Sequence, residues 1–305
     1  MTAPVRAGAR RIDLEVADHT TPAWLHPRES SRRPLLMIHG FRGDHHGMDL
    51  IAAAVRDRDV IVPDLPGFGL SAPLAAGLSI DAYVGYLCAL RAEVARRWQR
   101  PPVVLGHSFG SILVSHLAAR LSQAGQHATQ TQPERGELSE LVLINPITTP
   151  ALEGSARFLT GLTRVYYGLG ARLQERAGHQ LLANPLIVRM MSEVMATTKD
   201  RGLRRYIHDQ HAKHFSTFSD RASLAEAFET SVSHTVTEVA EELTMPTLVI
   251  AGDRDAIAPI GPTREFVAKL PDARFVELGG VGHLVHYERP EATASGIMEF
   301  ARDRD

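Results

Sequence analysis

The sequence predicts an α/β fold: a mostly parallel twisted sheet flanked by helices, with a helical insertion. Three observations predict it. Short apolar runs of strand length alternate with segments of helical periodicity along most of the chain, an order that covers both faces of a parallel sheet. The run Val103–Ser111, VVLGHSFGS, carries a strand straight into a helix through glycines that alternate with a serine. Between about Pro150 and Glu241 the strand-like runs stop and helical periodicity takes over, and the sheet pattern resumes at Met245.

Each element follows from local pattern. Arg11–Val16 alternates apolar and polar residues, as a half-exposed strand does, and Ala23–His26 is its hairpin partner. Pro34–His39 and Asp59–Pro63 are short apolar runs that read as buried strands. Ser79–Gln99 reads as a helix, with Ser79 at its cap, apolar residues at helical spacing, and Arg100-Pro101-Pro102 as its stop. Val103–Gly106 is a strand and Ser111–Leu121 a helix. Gln123–Glu137 is polar and punctuated by Gly and Pro, and is expected to be a surface loop. Leu141–Asn145, Thr247–Ala251 and Arg274–Leu278 are further strands, and Pro290–Ala301 is the closing helix. The expected organisation is a core from residues 1–149 and 242–305, with 150–241 as a helical cap over one sheet edge. There are no internal repeats.

Composition bounds the function. At 305 residues the chain can bury a sizeable core without staples. It is 44% hydrophobic and 22% charged, with a formal net charge of -2 and no long run of one sign. That argues against nucleic-acid binding and against a polybasic membrane surface. The single cysteine, Cys88, falls mid-helix among apolar residues and reads as a small core residue. No intrachain disulfide can form, which fits the reducing cytosol. The first twenty residues, MTAPVRAGARRIDLEVADHT, lack the apolar segment of a signal peptide. No stretch approaches the roughly 18 apolar residues of a membrane span. The expectation is a soluble cytoplasmic protein; a homo-oligomer is compatible with the sequence but not specified by it.

The chemistry centres on Ser108. A strand entering a helix through G-x-S-x-G makes a sharp turn, with the serine in a strained conformation and its hydroxyl exposed above the helix N-terminus. Gly106 and Gly110 leave room for the neighbouring backbone. A serine hydroxyl needs a base, an orienting acid and oxyanion donors to become a nucleophile. The base candidate is His283, in a glycine-rich loop after Arg274–Leu278; His286, three residues on, is its competitor. The acid candidate is Asp255, with Asp253 as rival; either also suits a plain turn. The order Ser…Asp…His agrees with this topology. The oxyanion donors expected are the N–H groups of Phe109, after the serine, and Phe41, after Pro34–His39, with His39 and Gly40 shaping that loop.

These motifs carry a resemblance. HGF at His39–Phe41, DLPGFGLS at Asp64–Ser71, GHSFG, GDRD and the Gly282-His283 pair stand in the order of the α/β-hydrolase superfamily, in its capped serine hydrolase and esterase branch. They span roughly Leu35 to Phe300. In the family the acid sits three residues after the glycine ending its strand; counting from Gly252 gives Asp255, and the alternative position near Asn145 is not acidic. The resemblance gives Asp64 a structural role near the mouth of the site. Many relatives continue the elbow with a second glycine, where this chain has Ser111.

The resemblance implies a serine hydrolase acting most simply on a small to medium apolar ester, with no cofactor and no metal. Ser108 argues against the branches with an aspartate nucleophile. Carbon–carbon hydrolases of ring-cleavage products remain an alternative; these carry an asparagine and a cap arginine, for which Arg164, Arg189 and Arg201 are available. Cofactor-free oxygenases share the same residues, and ligand-binding receptor members without turnover form a different class. Ala156–Gly170 and Asn184–Ala196 are rich in aromatic, Leu and Met residues at helical spacing, which suits packing of the cap onto the sheet as well as an apolar pocket. His208, His211 and His214 share helix spacing, but no Cys or carboxylate completes a metal site around them.

Overall fold

The computed structural model describes residues 8–126, 138–150 and 157–304. Eight strands form one sheet: β1 (Arg10–Val16), β2 (His19–His26), β3 (Leu35–Ile38), β4 (Val60–Pro63), β5 (Val103–His107), β6 (Leu141–Ile144), β7 (Thr247–Gly252) and β8 (Ala273–Leu278). Their order is β1-β2-β4-β3-β5-β6-β7-β8, with β2 antiparallel to both neighbours and every pair from β4 to β8 parallel. The helices are α1 (His45–Ala54), α2 (Ile80–Trp98), α3 (Phe109–Gln126), α4 (Arg157–Arg172), α5 (Glu175–Leu182), α6 (Pro185–Met195), α7 (Arg201–His214), α8 (Arg221–Ser233), α9 (Ile260–Val267), α10 (Val285–Glu288) and α11 (Pro290–Arg302). A 3-10 turn, Val236–Glu242, follows α8. Among the described residues no helix is long and apolar enough to cross a membrane.

The central strands are apolar throughout because both their faces are covered. Alternate residues go to opposite sides: Leu36, Ile38, Val104, Leu143 and Val249 pack with α2 and α3, whereas Leu35, Met37, Leu105, Ile144 and Ile250 pack with α1 and α11. Ser79 caps α2 by accepting from Ala82 N–H, and Gln99 ends it in the left-handed region at φ 55° before the Pro pair.

Several expectations shift. Helix α3 begins at Phe109, directly after the serine, and runs on to Gln126, so Gln123–Gln126 are helical rather than loop. A helix is extended by its own i→i−4 bonds and tolerates polar residues on its open side. Residues 127–137 of the expected loop, 1–7 of the N-terminal segment and 151–156 at the start of the insertion lie outside the described residues. The hairpin partner of β1 is longer than expected, beginning at His19. Helices α1 and α9 had no sequence assignment. Each opens with residues that look like turns: Gly47 in α1, Gly261 and Pro262 in α9, where proline is tolerated because first-turn N–H groups lack helix partners.

Between β6 and β7 the chain makes helices α4 to α8, as the loss of strand pattern implied. Parallel strands β5 to β8 end on the same edge of the sheet, and the residues following β5, β6, β7 and β8 are therefore neighbours.

Candidate active site

Ser108 follows β5 with a positive φ of 53°, a conformation costly for a non-glycine residue. Its surroundings hold it there. A Cβ on Gly106 would lie 2.3 Å from the Gly110 carbonyl oxygen, and one on Gly110 would lie 2.3 Å from that of Ile38, so backbone passes where side chains would be. The Ser108 amide donates to the Ile144 carbonyl at 3.0 Å. Ser111 supplies a further tie that a glycine cannot: its hydroxyl donates to the Ser108 carbonyl and accepts from Ile147 N–H.

His283 Nε2 lies 2.8 Å from Ser108 Oγ, and His283 Nδ1 lies 2.8 Å from Asp255 Oδ2. The carboxylate takes Nδ1–H, which leaves the Nε2 lone pair facing the serine hydroxyl. The other Asp255 oxygen accepts from Ile257 N–H at 2.7 Å and Ala258 N–H at 2.9 Å, so both oxygens are occupied in a side chain with no exposed area. Asp253 has a different job. Its Oδ1 accepts from Gly280 and Val281 N–H and shapes the loop that carries His283. His286 is buried beside His107 and Tyr287 and does not touch Ser108. Burial pushes its pKa well below the ordinary value, with His107 nearby adding to this.

Residues to which the sequence assigned no role at the site brace this group. Asn145, at φ 45° after β6, donates from Nδ2 to the carbonyls of Gly282 and His283 and accepts Gly252 N–H on Oδ1. It thus joins the end of β7 to the His283 loop. His107, in the elbow motif, also faces the His283 carbonyl at 3.2 Å. Burial, reinforced by nearby His283, lowers the His107 pKa to about 3, so the ring is neutral and donates from Nε2. From the inserted segment, Thr197 Oγ1 accepts Gly282 N–H at 2.9 Å while Glu288 holds the amides of Thr197 and Thr198. A signal for Asn145 was visible only as an uncharged residue at a strand end; Thr197 gave none.

The loop after β3 runs alongside. A Cβ on Gly40 would lie 3.2 Å from Ser108 Cβ. His39 holds this loop: Leu65 N–H donates to its Nε2 at 2.9 Å and its Nδ1–H donates to the Gly40 carbonyl at 2.9 Å. Asp64, fully buried, takes the His45 amide and ring on one oxygen and Leu70 N–H on the other, a purely structural use. Phe109 opens α3, so its N–H is among those without a helix carbonyl. The Phe41 ring meets Phe68, Phe109, Tyr167 and Phe228 at centroid distances of 5.6–6.4 Å, an aromatic wall shared by the elbow, α4 and α8.

The remaining candidates are placed elsewhere. Arg164 pairs with Glu229 and Arg189 with Glu193, both pairs largely exposed, and Arg201 is exposed at the start of α7. His208 and His211 both face the buried Ser192 hydroxyl, at 2.6 and 2.8 Å, whereas His214 turns toward Asp44. The three histidines therefore do not share a centre. Tyr167 of α4 is buried against Phe228, as packing of the inserted stripe implied. The α6 stripe is different: Leu186, Met190 and Val194 are 79%, 61% and 59% exposed.

Comparison with known proteins agrees with this architecture. Over 258 residues, 83% of the chain, it is 27% identical to a polyketide synthase of Burkholderia thailandensis, of whose length it spans only 11%. It is 24% identical over 282 residues to Lipase 3 of Moraxella sp. (strain TA144), covering 88% of the chain and 76% of the lipase. An esterase from Thermogutta terrifontis superposes with a TM-score of 0.70 at 20% identity, over 97% of this chain and 99% of that one. A model of the alpha/beta hydrolase family matches residues 35–295, and the chain belongs to that family.

Proposed function

We propose that this protein is a serine hydrolase that cleaves small to medium apolar carboxylic esters through an acyl-enzyme. The observation that carries the reading is the unbroken line of contacts from Ser108 Oγ through His283 to a fully buried Asp255, each at 2.8 Å. In this reading His283 Nε2 takes the Ser108 proton as Oγ attacks the ester carbonyl. Asp255 keeps the imidazole in the required tautomer and stabilises its cation. The N–H groups of Phe41 and Phe109 receive the oxyanion. His283 then protonates the leaving alcohol, and water, activated by the same imidazole, releases the acid.

Residues 150–241 act as the cap over the core of residues 1–149 and 242–305. Supporting this are the contacts of Tyr167 and Phe228 with Phe41 and the Thr197 bond to the His283 loop. The aromatic wall suits an apolar acyl group. The esterase and lipase relatives favour an ester over other acyl substrates.

The test is labelling by a fluorophosphonate probe with peptide mapping, followed by an ester panel of graded acyl length. Stoichiometric labelling at Ser108 is expected, with ester turnover lower by about 10³-fold or more in Ser108→Ala and in His283→Ala. A folded wild-type protein that neither labels nor turns over any ester would overturn the proposal.

A further inference from the structure

Where the inserted helices return to the sheet, His116, His234 and Glu238 converge. His116 projects from α3, His234 directly follows α8, and Glu238 lies in the 3-10 turn. The backbone fixes the carboxylate first. Thr235 caps the turn, and its N–H donates to Glu238 Oε1 at 2.8 Å, completing a reciprocal capping box. That leaves Oε2 facing both imidazoles: His234 Nδ1 at 2.9 Å and His116 Nε2 at 3.6 Å.

All three donor atoms lie within 4.8 Å of one another. The two nitrogen–oxygen separations straddle the roughly 3.3 Å edge of a tetrahedron with metal–ligand arms of about 2.0–2.1 Å. The imidazoles stand at 76° with centroids 5.6 Å apart, fanned rather than stacked. Two nitrogens and one carboxylate oxygen are a donor set that suits zinc. The Thr235 carbonyl, 3.3 Å from His116 Nε2, accepts a hydrogen bond from that ring in the metal-free protein. His116 also lines a cleft of about 1000 Å³ between the β1–β2 turn, α2 and α3.

The other His/Asp group among the described residues, Asp44, His45 and His46, lacks the fanned rings: His45 stacks on Trp24 at a centroid distance of 3.2 Å and His46 on His214 at 3.7 Å.

We propose that His116, His234 and Glu238 form a three-ligand site for a divalent ion of the zinc class. An ion there ties α3 of the sheet layer to the end of α8 and so stiffens the return of the insertion. The inference stands apart from the ester reading, since its readout is metal occupancy.

The experiment uses the full chain stripped with chelator and titrated with Co²⁺, then Zn²⁺. Expected are one Co²⁺ per chain with the visible bands of a tetrahedral complex, displacement by Zn²⁺, and a Zn²⁺-dependent rise in Tm of several degrees. His116→Ala, His234→Ala and Glu238→Gln should each weaken binding at least about tenfold and abolish the Tm rise. These side chains are partly exposed, and Glu238→Gln keeps the capping acceptor, so circular dichroism should show folded variants. His46→Ala should change neither readout. Absence of saturable binding at millimolar metal overturns the proposal. So does binding that survives His116→Ala and Glu238→Gln, or that is lost in His46→Ala.

Discussion

Asn145 joins three backbone groups with one amide: two carbonyls of the His283 loop and the Gly252 N–H at the end of β7. All of this is buried. Removing the side chain leaves donors and acceptors unpaired in a dry environment, at a cost of about 1–3 kcal/mol. Asn145→Ala should therefore lower the urea midpoint. On the proposed mechanism it should also lower kcat for an ester more than it raises KM, because the loop it releases carries His283 and not the aromatic wall. A drop in stability with kcat unchanged would show that the loop holds its position without it. Asn145→Asp should be worse than Ala, since it would set an anion against two carbonyl oxygens. The residue illustrates what could be read early. Its place after a strand was legible, but the three partners come from residues more than a hundred positions away.

At the scale of elements, the ends of the inserted helices are held by one side chain from the core. Arg42, buried and at φ 59°, donates to the carbonyl of Leu182 at the end of α5 and to that of Phe215 just past α7. It also donates to the Tyr167 hydroxyl on α4. A cation at helix C-termini satisfies carbonyls that lack helix partners and is favoured by the dipole. Charge-assisted bonds of this kind contribute about 1.5–3 kcal/mol. Arg42→Ala should raise hydrogen exchange in α4, α5 and α7 well before it affects β3 to β7. Uniform exchange across both regions would mean that the insertion and the sheet open together. The central strands were legible because each is apolar on both faces, and β1 because it alternates apolar and polar residues. Helices α1 and α9 were not, because their first turns carry the Gly and Pro that elsewhere make loops.

For the molecule as a whole, buried histidines link stability to pH. Burial holds His107 and His211 down to about 3 and His26 to about 4, from an ordinary 6.5. Between pH 6.5 and those values the unfolded chain binds more protons than the folded one. Stability is thus full above about pH 6.5 and falls on acidification, by up to about 1.4 kcal/mol per pH unit for each such histidine. Asp44 adds to this at lower pH: burial opposes its ionisation, but hydrogen bonds from His214 and His46 prevail and hold its pKa far below the usual range. Urea midpoints between pH 7 and about 4 should decline steadily, and His211→Gln should flatten the decline. An identical slope in that variant would remove His211 from the account.

By itself the sequence determined the strand–helix alternation, the break in strand pattern between β6 and β7, and the glycine-flanked serine, because these depend on periodicity and on backbone conformations that few residues adopt. It also put Ser108, Asp255 and His283 at strand ends, since a parallel sheet brings such ends to one edge. The sequence named Asp255 ahead of Asp253 and His283 ahead of His286, and the tertiary structure added the contacts: His283 lies between Ser108 and Asp255, whereas Asp253 bonds the Gly280 and Val281 amides. Both members of each pair fit their loops, and the distance to the next group in the chain of contacts distinguishes them. The braces from Asn145, Arg42 and Thr197, and the meeting of His116 with Glu238, were likewise decided in space, since their partners are far apart in sequence and carry no local pattern.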